Sequence, residues 1–187
     1  MSDAISVLNG AQDVGLNIVT DAGLKGMIAL KGDLSSDQIA KAVKLVSGLS
    51  IPLPATCKMG AKGAVAWMAP DELLLLCDYE SADLNVEKLN KALSGKHFLA
   101  VNVSDARAFF KIEGNAIKDV LAKGTPTSLA GFGPGQFRRS RIGQIAAAFW
   151  MASEEEAYVV CFRSVAEHMF NWLKAANNAE GALSLYK

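Results

Sequence analysis

The chain has 187 residues, 51% of them hydrophobic and 20% charged, which excludes a disordered protein and gives enough apolar surface for a sizeable core. Its 19 basic and 19 acidic residues cancel, which argues against nucleic acid or an anionic membrane as the main partner. Three cysteines with no CxxC spacing point to reduced, buried thiols in a cytoplasmic protein, and no apolar run nears the ~20 residues of a membrane helix.

Residues 1–23 show little periodicity and several glycines, so they read as an N-terminal arm with no signal-peptide pattern. Residues 27–30 form a short buried strand ended by Lys31-Gly32-Asp33. A capped helix follows, with Ile39, Val43 and Val46 at helical spacing up to Gly48. Pro52 and Pro54 make 49–56 an extended connection. Residues 64–68 and 73–77 are two strands of a hairpin, 84–93 a helix carrying Leu84, Leu89 and Leu93, and 98–103 a closing strand. Next come a strand at 108–112 and a short helix at 116–122 stopped by Lys123-Gly124. The loop 125–136 follows, then a second hairpin at 142–151 and 157–162, a strong helix at 165–176, and a last strand at 183–186.

This order repeats, and so do local motifs. Trp67-Met68-Ala69-Pro70-Asp71-Glu72 returns as Trp150-Met151-Ala152-Ser153-Glu154-Glu155, Leu30-Lys31-Gly32-Asp33 as Ile112-Glu113-Gly114-Asn115, and Cys77 as Cys161. The fold class is therefore α+β: two ferredoxin-like β-α-β-β-α-β units related by a pseudo-twofold. They make one domain, 1–187, with repeats at about 24–104 and 105–187 and the arm at 1–23.

The polar candidates are few. Gly131-Phe132-Gly133-Pro134-Gly135 lacks the Lys-Ser/Thr ending of a phosphate loop, and Pro134 removes an amide donor, so an ordinary mobile loop is expected. Arg138, Arg139 and Arg141 are the one basic cluster, with Arg139 and Arg141 pointing the same way on a strand and Arg138 the other way. They suit a carboxylate or phosphate on a ligand or another subunit, or else solvated pairing with Glu154–Glu156. Asp105 and Arg107, at the junction of the repeats, either form a structural pair or line a cleft. His97 and His168 have no partner at metal-ligand spacing, and Cys77 and Cys161 at matching strand ends read as core residues. No catalytic set and no metal site emerge from the sequence.

Several stretches resemble the gamma subunit of heterotetrameric sarcosine oxidase. They are Trp67-Met68-Ala69-Pro70-Asp71-Glu72-Leu73, Val103-Ser104-Asp105-Ala106-Arg107 through Gly114, and Asp119 to Gly124. Arg141-Ile142-Gly143-Gln144 and Phe162-Arg163-Ser164-Val165-Ala166 running into Trp172-Leu173 complete the set. The likeness covers roughly residues 25–176. It implies the folate-binding fold of aminomethyltransferases and a non-catalytic assembly role in a complex that oxidatively demethylates sarcosine to glycine. The expected partners are alpha, beta and delta subunits. The resemblance puts FAD, FMN, NAD and tetrahydrofolate on the larger subunits and zinc on delta, with no cofactor on this chain. A stand-alone folate-binding or one-carbon-transfer protein is the alternative reading, and a self-assembling protein a third.

Overall fold

Pairing of the strands sorts them into two sheets, each in its own unit of the chain. The computed structural model describes residues 4–186. One unit is the continuous segment Lys25–Asp105, and the other combines chain from both sides of it.

The continuous unit runs β3 (Gly26–Gly32), α1 (Asp37–Ser47), β4 (Cys57–Gly60), β5 (Gly63–Ala69), β6 (Glu72–Cys77), α2 (Ala82–Ala92) and β7 (Phe98–Asn102). Its sheet order is β4-β5-β6-β3-β7, and every pairing in it is antiparallel. Setting aside the added edge strand β4, that is the ferredoxin-like arrangement expected from the sequence. Helix α1 buries Ile39, Val43 and Val46, and Gly48 at φ 76 ends it by bonding the Lys44 carbonyl at 2.9 Å. Helix α2 begins two residues before its expected start, buries Leu89, and leaves Leu84 exposed rather than in the core. Both helices cover a core of Ile28, Leu30, Val65, Leu73, Leu75 and Cys77 on one sheet face. The four-leucine run 73–76 is buried on both faces, which is why it lacks polar alternation.

The second unit starts with β1 (Gln12–Val14) and β2 (Ile18–Asp21). It resumes with β8 (Arg107–Glu113), α3 (Ile117–Ala122), β9 (Phe137–Ile142), β10 (Ile145–Ser153), β11 (Glu156–Phe162) and α4 (Ala166–Ala176). The sheet order is β1-β2-β8-β11-β10-β9. Here the place of the fourth strand, beside β8, is taken by β2 from the N-terminal segment. Two expectations need correction. The supposed arm carries two strands, and residues 183–186, expected as the closing strand, are irregular. The short polar segment 12–21 has too few apolar positions for periodicity to reveal it. Its Val19 is nonetheless fully buried in the core with Phe110, Ile112, Phe149, Val159 and Leu173. Helix α4 seats Trp172 against Gly124 and Gly143, and a Cβ on Gly124 would lie 2.1 Å from the indole ring.

The repeated Trp-Met-Ala motif is out of register by one residue. Both hairpins have two-residue tips, with Ala69 opposite Glu72 and Ser153 opposite Glu156. Counting back along the ladders, Trp67 lies opposite Leu73, but the residue in that place in the second hairpin is Met151, opposite Ala157. Because side chains alternate along a strand, the slip puts the two tryptophans on opposite faces. Trp67 packs on the helix-covered core, whereas Trp150 joins Phe109, Tyr158 and Phe137 on the face away from the helices.

Candidate functional site

The arginine cluster lies on β9, an edge strand of the six-stranded sheet. Its alternation holds as read: Arg139 and Arg141 are exposed on one face, and Arg138 is half-buried on the other. Arg138 donates to the Phe137 carbonyl at 2.8 Å and the Gln136 Oε1 at 3.4 Å, and its guanidinium sits 5.3 Å from the centre of the Phe132 ring. This arginine is a staple for its own loop. Arg139 and Arg141 lie two residues apart on this edge strand, both exposed.

The glycine-rich loop is anchored to its unit's core. Phe132 is fully buried and meets Phe149 edge-on at 5.6 Å. The Gly135 amide donates to the Met151 carbonyl at 2.9 Å, and the Gln136 amide to the Gly133 carbonyl at 2.9 Å. The Gly135 and Gln136 amides are therefore already used within the protein.

Asp105 and Arg107 each have a partner inside their own unit. Asp105 accepts a hydrogen bond from the Tyr79 hydroxyl at 2.8 Å, and Arg107 stacks 4.0 Å above the centre of the Phe162 ring. His97 and His168 are exposed. Among the described residues, no three His, Cys, Asp or Glu side chains come together in a way that could hold a metal. A hollow of about 270 Å³ at the start of α3 is lined by Asn115, Ile117, Lys118, Glu154, Glu155 and Tyr186, a mix of polar and apolar surface.

All three cysteines are buried. Burial alone pushes the Cys57 thiol up from its ordinary 9.0 to about 12, and burial pushes Cys161 to about 12 against a small opposing pull from Arg107. Cys77 is also raised, by burial first, with Asn85 and Lys25 opposing. None is poised as a thiolate nucleophile at neutral pH. We expect iodoacetamide at pH 8 to leave all three unmodified in the native protein and to label all three in denaturant, as read by intact mass. The linkage has a definite sign. The folded thiols hold their protons above the pH at which the unfolded ones release them, so stability falls as pH rises through 9 toward 12.

What sequence reasoning missed is the aromatic row across the sheet face away from the helices. Phe109 stacks on Tyr158 at 4.9 Å, Tyr158 lies 5.6 Å from Trp150, and Trp150 lies 6.0 Å from Phe137. Burial, then hydrogen bonding to Glu156 and the charges of Glu156 and Glu113, raise the Tyr158 hydroxyl well above its ordinary value. Its members come from four different strands, β8, β11, β10 and β9, so no local pattern in the sequence announces the row.

A family model described as the sarcosine oxidase gamma subunit family matches residues 31–180, which span most of both units. The chain belongs to the sarcosine oxidase gamma subunit family. This gamma-family chain is similar in fold to a chain of the heterotetrameric sarcosine oxidase from Corynebacterium sp. U-96, solved in complex with pyrrole 2-carboxylate. The TM-score is 0.79 and the identity 23%, over 93% of this chain and 91% of that one. It is also similar in fold to the glycine cleavage system aminomethyltransferase T from Bartonella henselae, with a TM-score of 0.57 and 14% identity. That match covers 80% of this chain and 43% of the transferase. No protein of curated function matches the sequence. The aminomethyltransferase-like α+β fold expected from the gamma-family resemblance is thus the fold observed.

Proposed function

We propose that this chain is the non-catalytic gamma subunit of a heterotetrameric sarcosine oxidase, acting in assembly. The observation that carries the reading is the family match over residues 31–180. The complex belongs to the oxidoreductases, and its reaction is oxidative demethylation of sarcosine to glycine. The partners are alpha, beta and delta subunits, with FAD, FMN, NAD and tetrahydrofolate held by the larger ones. The local chemistry agrees with a structural role. Arg138, Asp105 and Arg107 make contacts within their own units, and the thiols are buried and protonated. Among the described residues, no helix is long and apolar enough to cross a membrane.

The test is co-expression of the tagged chain with the flavoprotein subunits of its own organism, followed by pull-down and a sarcosine-dependent peroxide assay. The expected result is a flavin-coloured complex whose assembly or activity is lost when this chain is omitted. A chain that stays alone and colourless while the other subunits remain fully active would sink the reading. Tight tetrahydrofolate binding by that lone chain would then favour the one-carbon alternative.

A further inference from the structure

The two units follow one plan and differ at one sheet edge. In the six-stranded unit β2 holds the fourth-strand place, and β1 covers its outer edge. In the five-stranded unit β7 holds that place, and among the described residues no strand lies outside it. The correspondence can be fixed residue by residue. The Ala22 amide donates to the Phe109 carbonyl directly opposite at 2.9 Å, and the Val103 amide donates to the Met27 carbonyl directly opposite at 2.8 Å. Phe109 and Met27 are related by the same step that carries Lys31-Gly32-Asp33 onto Glu113-Gly114-Asn115. Counting back, Val19 answers to Ala100, Ile18 to Leu99 and Thr20 to Val101.

Backbone groups alternate in direction along an antiparallel ladder. In β2 those of Val19 and Asp21 turn outward. The Asp21 amide donates to the Ala11 carbonyl at 2.8 Å, and Val19 lies opposite Asp13 of β1. In β7 the outward-turning groups are by the same count those of Phe98, Ala100 and Asn102. The side chains of Leu99 and Val101 stand on that rim 51% and 40% exposed. Edge strands are normally protected by charge, proline, a bulge or a cover. The segment Phe98-Leu99-Ala100-Val101-Asn102 has neither charge nor proline, and its ladder with β3 is regular. Its counterpart has a cover, and that cover is a short antiparallel strand.

We propose that the outer edge of β7 takes an extended, uncharged segment of a partner subunit as a sixth antiparallel strand. The segment bonds the backbone of Ala100 and Asn102 and lays apolar side chains over Leu99 and Val101. This rests on the subunit reading above, under which the complex supplies a different chain, not a second copy, at this edge. Backbone bonding plus apolar cover makes the contact nearly insensitive to salt.

The test uses the assembled complex and three variants of this chain. Ala100→Pro removes an outward donor and obstructs strand addition while sparing the bonds to β3. Leu99→Lys with Val101→Lys keeps every backbone group and places charge on an exposed rim. Leu45→Lys, at a still more exposed apolar position on α1, is the control. The first two are expected to weaken incorporation into the complex by about tenfold or more, and the control by less than about twofold. Melting of each isolated variant within a few degrees of wild type assigns the loss to docking, and the double lysine variant decides the matter if the proline variant does not fold. Amide exchange across 98–103 should slow by about tenfold or more in the wild-type complex relative to the free chain. Wild-type assembly with unaltered binding by both edge variants and unchanged exchange at β7 overturns the edge proposal and leaves the subunit reading standing. Failure of the wild-type chain to assemble overturns both. Self-association of the lone chain that the β7 variants abolish, with hetero-assembly intact, would make the occupant a second copy and equally overturn the proposal.

Discussion

Deleting residues 4–23 is expected to unfold the six-stranded unit, not to trim a loose arm. The deletion removes β2, the neighbour of β8, and with it four antiparallel pairings from Ile18–Glu113 to Asp21–Phe110. It also strips Val19 from the core and removes Val7, Leu8 and Leu16, which pack partly buried against it. Full burial of an aliphatic side chain is worth about 1.5–3 kcal/mol, so these four together contribute about 4–8 kcal/mol, within reach of a whole domain's ~5–15 kcal/mol. The segment is held by more than apolar contact. Asp21, 4% exposed, accepts from the Ser6 hydroxyl at 2.6 Å and from the amides of Leu8 and Gly10 at 3.2 Å. Thermal unfolding by circular dichroism, with hydrogen exchange of peptides from β8 and β11, would measure the outcome. A truncated chain that melts within a few degrees of the full chain, with protection retained in 107–113, would show that β2 contributes nothing essential.

Strands β1 and β2 are the part of the fold least visible in the sequence. Long apolar elements announced themselves. The 73–76 run, the Ile39-Val43-Val46 stripe and the Met169-Leu173-Ala176 stripe lie in the elements expected of them, since each buries a face whose periodicity is visible locally. The ferredoxin-like order followed from those elements and from the duplication. Residues 12–21 escaped because a two-stranded edge ribbon needs few apolar residues, and what fixes it lies elsewhere in the chain. The slip between the two Trp-Met-Ala motifs is hidden for a different reason. A hairpin lengthened by one residue leaves the motif readable but turns its tryptophan to the other face, a fact that only the ladder reveals. Of the candidate site, the alternation of Arg138 against Arg139 and Arg141 was readable from strand geometry. The engagement of Arg138 with Phe132 and of Asp105 with Tyr79 was not, because both depend on where a loop or turn folds back. The bare edge of β7 became meaningful only by comparison with β2.

Replacement of Asn177 should cost nearly as much as losing a strand, because this one buried residue ties the end of α4 to the turn between β1 and β2. Its own amide closes the helix on the Leu173 carbonyl at 2.8 Å, and its carbonyl accepts from the Leu16 amide at 2.8 Å. Its side chain is equally committed. Oδ1 accepts from the Asn17 amide at 2.9 Å, while Nδ2 donates to the Asn17 carbonyl at 2.9 Å and to Asp13 Oδ2 at 3.1 Å. Asn177 is wholly buried and Asn17 is 3% exposed, so water cannot replace these bonds. Asn177→Leu keeps the volume but leaves the Asn17 amide buried without a partner, takes one of the two donors from the Asn17 carbonyl, which keeps the Gly15 amide at 2.9 Å, and removes the bond to Asp13. At about 1–3 kcal/mol for the orphaned amide and about 0.5–1.5 kcal/mol for each of the two other bonds lost, the loss is about 2–6 kcal/mol by urea unfolding. Asn178→Ala, one residue on and exposed, removes only a local turn contact to the Glu180 amide and should cost less than about 1 kcal/mol. Asn177→Asp separates hydrogen bonding from packing. It keeps an acceptor for the Asn17 amide but sets a second carboxylate beside Asp13, a like-charge pair in a buried site. Its deficit relative to wild type should therefore shrink as pH falls through the carboxylate range, where the new group takes up a proton, while the deficit of Asn177→Leu stays constant. Parallel pH profiles for the two variants would mean that Asp13 does not feel residue 177, and that the bond between them contributes nothing to holding the N-terminal hairpin.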